Sequence, residues 1–281
     1  PRKDRLYPPR LQRALTRWPW LARLRHNFQW FFFGELQLTP LMKQVRPVQW
    51  LARRASLAHL RRQVHDPALR AKLVPDYPIG AKRVLFNDDY YPTLNRDNVR
   101  LVTEPIAAIE PSGVRTVGGE LHAAEVIVFA TGFKSTEFLA PMAVHGLGGR
   151  DLAHEWRNGA HAYLGVTVSG FPNFFMLYGP NTNLGHNSIL VMIEAQVGYI
   201  LDALRQLEAR GERCLDVRRE AMDAFNRDLQ RDLAKSVWAA TSKASWYKLA
   251  DGTITNNWPY STIRYRRLLR RADLGVYATW P

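Results

Sequence analysis

The chain has 281 residues and 46% hydrophobic content, which excludes a disordered or fibrous protein and suffices for one large domain or two ordinary ones, with roughly three quarters of the unfolded surface buried. Its single cysteine, Cys214, excludes an internal disulfide and a cysteine-based zinc site; no apolar stretch approaches the roughly 20 residues of a spanning helix and no signal peptide opens the chain, so a cytoplasmic setting is expected. The net charge of +14 is uneven, because residues 1–72 hold 16 Lys/Arg against 3 Asp/Glu while residues 73–281 hold 23 against 22.

The basic segment is interleaved with Trp18, Trp20, Trp30 and the run Phe31-Phe32-Phe33. Such a segment suits an anionic membrane surface through residues 1–72, or a helical subdomain whose aromatics form core and whose arginines are solvated or face a phosphate-bearing cofactor. No nucleic-acid module accompanies the charge, so no nucleic-acid partner is expected. The opening "PRKDRLYPPR", a proline-punctuated run without methionine, is expected to be a piece of something longer.

Helical character runs from about residue 10 to 75, with breaks expected at Trp18-Pro19, Thr39-Pro40 and Arg46-Pro47. A short helix follows Asp66, which can cap it, with Pro67 at its first position. Strands are expected at "RVLF" (83–86), "VRLV" (99–102), "IAAI" (106–109), "GVRTV" (113–117) and "EVIVFA" (125–130), with a hairpin at Gly118-Gly119. "FFMLY" (174–178) reads as a further buried strand. A long helix begins after Asn187 or Ser188 and ends at Gly211, its apolar stripe being Ile189, Leu190, Ile193, Val197, Ile200, Leu201 and Leu204. A second amphipathic helix covers about 218–240 on Met222, Phe225, Leu229, Leu233 and Val237, and the tail from 241 is irregular and aromatic.

The chain has no Gly-x-Gly-x-x-Gly, no phosphate-cradling loop, no Gly-x-Ser-x-Gly elbow and no His-Glu-x-x-His. His145, His154 and His161 lie in a glycine-rich region without metal-ligand spacing, and no metal is expected. What is present is a unit written "FFMLYGPNTNLGHNSILVMIEAQ", in which a short glycine-bounded loop crowded with amides enters a helix. The exposed N–H groups of that helix start suit an anionic or electron-rich ring edge, and the same Asn and Thr residues also serve as ordinary turn and cap formers.

Four segments, "YPIGAKRVLFNDDYYPTLNRDNVRLV", "VIVFATGF", "AYLGVTVSGFPNFFMLYGPNTNLGHNSILVMIEAQVGYI" and the closing "SWY" and "NWP", resemble in order and spacing the C-terminal half of Baeyer-Villiger-type flavin-containing monooxygenases. The resemblance implies an α/β fold, the remainder of a flavoprotein with two dinucleotide-binding domains and an N-terminal helical subdomain (about 10–75). Residues 1–125 would complete the NADPH-binding domain and residues 126–281 the FAD-binding domain. The implied activity uses NADPH to reduce FAD, traps O2 as a flavin peroxide and inserts one oxygen atom into a ketone, an aldehyde or a soft heteroatom of a small-molecule substrate. The glycine motifs for both cofactors would lie in a missing N-terminal half, so the isolated chain is expected to be inactive and to hold FAD weakly. An N-hydroxylating or other two-dinucleotide flavoprotein, and a basic interaction module without catalysis, remain the alternatives.

The same resemblance implies roles for residues. Arg83 corresponds to an arginine over the flavin, where a permanently charged guanidinium would hold developing negative charge on oxygen. Thr131 and Gly132 end the strand that returns the chain to the FAD domain. Asn181, Gly185, His186, Asn187 and Ile189 belong to the loop expected to line the flavin. Trp246 and Tyr247 either close over the nicotinamide or substrate or pack as a tail onto the core.

Overall fold

The fold is described from a computed structural model, for residues 6–85, 87–240 and 246–281. In chain order the elements are α1 (Pro9–Arg17), α2 (Pro19–Gln29), a π-helix (Trp30–Leu38), α3 (Thr39–Met42), α4 (Arg46–Gln63), α5 (Pro67–Leu73), α6 (Tyr90–Leu94), β1 (Ile106–Glu110), β2 (Gly113–Thr116), β3 (Leu121–Ala123), α7 (Leu152–Glu155), α8 (Ile189–Ala209), β4 (Cys214–Val217), α9 (Arg219–Leu233), α10 (Thr262–Leu268) and β5 (Tyr277–Trp280). The described residues divide into two compact units, a smaller one of residues 53–76, 85 and 87–134 and a larger one of 6–52, 77–84, 135–240 and 246–281. Among the described residues, no helix is long and apolar enough to cross a membrane.

The smaller unit carries an antiparallel sheet in the order β1-β2-β3. Gly119, at φ 87°, makes the β2–β3 turn where the Gly118-Gly119 pair predicts a hairpin. Asp66 caps α5 by accepting from the N–H groups of Ala68 (2.9 Å) and Leu69 (3.1 Å), with Pro67 at the first helical position. Its buried apolar side chains among the described residues are Leu60 and Val64. The buried strand expected at 126–130 does not form. That run has no ladder partner among the described residues, and Val128 and Phe133 are 83% and 86% exposed. A strand is a property of a ladder, so β-propensity alone leaves this segment bare. Residues 99–102 likewise form no strand ladder among the described residues, and the 83–86 run, without a ladder at 83–85, has its last residue outside the described set.

The larger unit holds the hydrophobic core, built from α8, α9, the antiparallel β4–β5 pair and the aromatics Trp238, Trp258, Tyr265 and Tyr277. α8 starts after Ser188 and stops before Gly211 (φ 67°), as its sequence predicts, but it buries a different face. Met192, Gln196, Tyr199, Ala203 and Leu207 are inside, while Leu190, Val197, Leu201 and Leu204 are exposed. Polar partners explain the rotation: Gln196 accepts from the Tyr178 N–H (2.9 Å) and donates to the Tyr265 hydroxyl (3.0 Å), and the Tyr199 and Tyr277 hydroxyls are 2.8 Å apart. α9 buries Met222, Leu229 and Leu233 and ends at Leu233, short of Ala240, where the Ser236 hydroxyl bonds the Leu233 carbonyl (2.6 Å) and a 3-10 turn sends Val237 and Trp238 inward. Residues 174–178 are not the expected strand, because Tyr178 takes φ 58° and breaks the extension.

At the N-terminal end, Trp18-Pro19 breaks the helices as expected. Thr39-Pro40 does not, because the π-helix runs directly into α3 with the Thr39 N–H bonded to the Gly34 carbonyl.

The buried face of α8 is directly testable. Met192→Ala should cost about 2–5 kcal/mol and Leu201→Ala within about 0.5 kcal/mol in urea unfolding; the reverse ranking would return the buried face to the apolar stripe.

Candidate functional site

Within the larger unit, the segment carrying Arg83 is set by packing upstream of it. Gly80 turns the chain at φ 95°, where a Cβ would lie 2.8 Å from the Met42 methyl, and Ala81 is fully buried. The Gln49 amide ties the same segment to the helical region by donating to the carbonyls of Leu41 and Ile79, both at 2.9 Å. Arg83 itself is exposed, and its charge acts on two phenols. Burial raises the pKa of Tyr178 and of Tyr247, and the Arg83 guanidinium pulls each back down, so the three groups share one neighbourhood. Beside them is a cleft of about 190 Å³ lined by Ser135, Phe138, Tyr178, Gly179, Asn183 and Trp246, among others.

The loop that follows Tyr178 is sewn to residues 254–258. The Asn181 N–H donates to the Thr255 carbonyl (2.8 Å), and its side-chain amide donates to the carbonyls of Ile254 (2.7 Å) and Asn257 (3.2 Å). Asn183 bonds the Asn256 carbonyl through its N–H (2.9 Å) and the Asn257 side chain through its amide (2.6 Å), and it accepts from the Tyr178 hydroxyl (2.8 Å). The backbone carbonyl of Trp246 is held from two sides, by the Ser135 hydroxyl (2.6 Å) and the Asn256 amide (2.9 Å). Trp246 is 48% exposed in the cleft wall and Tyr247 is 6% exposed, packed edge-on against Trp238.

The far end of the loop carries a buried polar group without partners. His186 is buried with neither ring nitrogen hydrogen-bonded. Desolvation pushes its pKa down to about 4 against the opposing pull of the Glu35 carboxylate, with Lys43 adding a further push down. Next to it the Asn187 amide donates to Glu35 (3.1 Å) while its oxygen accepts from the Ser188 N–H (2.8 Å) at the start of α8.

Of the residues singled out from sequence, the structure brings Arg83, Trp246 and Tyr247 to one neighbourhood and places Asn181, Gly185, His186, Asn187 and Ile189 along the loop and the first turn of α8. Thr131 and Gly132 lie in the smaller unit, both exposed, with Gly132 at φ 86°, a left-handed conformation that itself favours glycine. Gly185 is confined within the fold, because a Cβ there would lie 3.1 Å from both the Met42 sulfur and Trp238. Sequence reasoning missed Glu35, Asn183 and Asn257. Glu35 had a signal, as the lone charge in the apolar run "WFFFGELQL".

A comparison with protein-family profiles finds no match. The chain is 37% identical over 279 residues to a Baeyer-Villiger monooxygenase of Pseudomonas aeruginosa, an alignment covering 99% of this chain and 52% of that protein. Among solved structures it is similar to an oxidized steroid monooxygenase bound to NADP (TM-score 0.71, 31% identity, 84% of this chain and 46% of that one). It is also similar to OTEMO in complex with FAD and NADP (TM-score 0.71, 27% identity, 83% and 45%). The chain therefore spans about half the length of the curated relatives it matches.

His186 makes stability depend on acid. Between its depressed pKa of about 4 and the ordinary 6.5, the unfolded chain binds a proton that the folded chain refuses. Stability from this group is therefore complete above pH 6.5 and falls by about 1.4 kcal/mol per pH unit as pH drops through the window. In urea unfolding between pH 7 and 4.5, His186→Gln should flatten the profile; an unchanged slope would assign the acid sensitivity to other groups.

Proposed function

We propose that this chain, which belongs to the Baeyer-Villiger-type flavin-containing monooxygenases, supplies the oxygenation side of an FAD- and NADPH-dependent enzyme delivering one oxygen atom from O2 to a ketone, an aldehyde or a soft heteroatom. In this reading residues 1–125 complete an NADPH-binding domain with its helical subdomain, and residues 126–281 complete an FAD-binding domain. Thr131 and Gly132 mark the passage from one to the other. The glycine-rich cradles for both pyrophosphates would come from the part of the relatives that this chain does not span. The single cysteine fits a reducing, cytoplasmic setting.

The observation that carries the reading is the charge of Arg83 acting on Tyr247 and on Tyr178, the latter lining a cleft with Gly179, Asn183 and Trp246. The loop's own chemistry fits a flavin: His186 offers a neutral imidazole, one N–H donor and one acceptor, in a buried position where neither has a protein partner. His186, Asn187 and Ile189 would hold that cofactor, with Gly185 and Asn181 keeping the loop in place. When bound and reduced, FAD would supply the activation of O2. Arg83 holds negative charge at the reacting oxygen and, unlike a lysine, cannot shed its proton to do so. Trp246 narrows the cleft and excludes water, and Tyr247 anchors it to the core.

In the complete protein, Arg83→Ala should leave flavin reduction by NADPH intact and lower oxygenated product on the order of 10²-fold, read by anaerobic stopped-flow and a product assay in parallel. Product formation at the wild-type level would move the role elsewhere. For Trp246→Ala, lost activity at an unchanged melting temperature would support closure over the cleft, and parallel loss of both would reduce Trp246 to packing.

A further inference from the structure

Glu35 is a carboxylate buried to 7% exposure in an otherwise uncharged helix. One of its oxygens accepts from the Thr262 N–H (3.0 Å), the Thr262 hydroxyl and the Asn187 amide (3.1 Å), and the other from the Thr39 hydroxyl (3.4 Å). The indole N–H of Trp30 completes the set by donating to the Thr262 hydroxyl (3.1 Å). A buried charge is costly to desolvate, and an apolar side chain would serve packing alone at least as well. The backbone is adapted to the same contact. Gly34, one residue earlier, lies so close to Asn187 that a Cβ would come within 2.6 Å of its Cγ. The π-helix that presents Gly34 and Glu35 is a rare conformation concentrated at functional positions.

Resting on the reading that the 179–188 loop lines FAD, we propose that Glu35 is a positioning residue for the flavin: through Asn187 it fixes the end of that loop, and with it the adjacent His186. The mechanical path is short. Glu35 holds the Asn187 amide, the Asn187 oxygen holds the Ser188 N–H, and Ser188 is the residue from which α8 begins. Thr262, at the start of α10, braces the carboxylate from another element, and Thr39 braces it from the next turn of the same continuous helix. Asn187 is thus held by a carboxylate that Thr262 and Thr39 also fix, the arrangement expected of an outer partner that orients a ligand-contacting residue.

The test uses the complete protein, with FAD affinity from fluorescence titration, the flavin absorbance spectrum and the melting temperature as separate readouts. Glu35→Ala and Asn187→Ala should each weaken FAD by roughly 10-fold or more and shift the spectrum alike, and the double variant should be no worse than either. Glu35→Gln should lie near wild type, because its carbonyl oxygen can still accept from Asn187 and Thr262. If Glu35→Ala does not fold, Glu35→Asp, which keeps the charge and withdraws the acceptor by one methylene, gives the same comparison. A flavin changed by Asn187→Ala but not by the Glu35 variants, or a Glu35 variant that lowers only the melting temperature, overturns the inference. So does a Glu35→Gln variant as impaired as Glu35→Ala, since charge rather than position would then be at work. If neither residue affects the flavin, the assignment of the loop falls as well, and the Arg83 experiment then stands apart from it.

Discussion

Every buried N–H and C=O must find a partner, and in the larger unit much of the buried chain is neither helix nor strand. Residues 160–171 run through the interior almost without regular structure. Their backbone groups are met by side chains: Asn226 donates to the Ala162 carbonyl (3.2 Å), Tyr265 to Leu164 (2.6 Å) and Gln196 to Gly165 (3.4 Å), while Asp216 accepts from the Gly170 N–H (2.9 Å). Asn173 exchanges bonds with Leu215, its oxygen accepting at 3.0 Å, and Gln230 does the same for Ile254, donating at 2.8 Å. The interior is therefore a framework of amides and hydroxyls set among aromatic and aliphatic packing, and the loop bearing the candidate site is one more length of chain held in this way.

This framework explains why the site can be irregular and still well defined. Asn181 and Asn183 fasten the first half of the loop to residues 254–257, and Asn187 fastens its end to Glu35. Between the two fastenings, Gly185 rests on Met42 and Trp238, and His186 keeps both ring nitrogens uncommitted. Among the polar groups of this loop the His186 imidazole is buried without a hydrogen-bond partner in the chain, which is what the proposed flavin contact requires.

The parts legible in the sequence were those fixed by local chemistry. The Asp66 cap, the Gly118-Gly119 turn, the ends of α8 and the buried stripe of α9 all follow from a few adjacent residues. The buried face of α8 was not legible, because Gln196 and Tyr199 read as polar until their partners Tyr178, Tyr265 and Tyr277, far away in sequence, are in place. The stretch 126–130 failed for a related reason: its composition is that of a covered strand, but covering is supplied by other chain segments. In the candidate site, the Arg83 segment and the 179–189 loop were named by resemblance to the monooxygenase family. Glu35 could be noticed only as a misplaced charge, since its partners Asn187 and Thr262 lie 152 and 227 residues along the chain.

The exposed run from Val126 to Phe129 has a further consequence, in how the chain behaves toward its own copies. Val126, Val128 and Phe129 lie in a short window of high β-propensity with no proline and, after Glu125, no charge until Lys134. Its backbone amides are not engaged in a ladder, which is the composition and presentation that template intermolecular pairing and steric-zipper growth. Left uncovered, a window of this composition favours self-association.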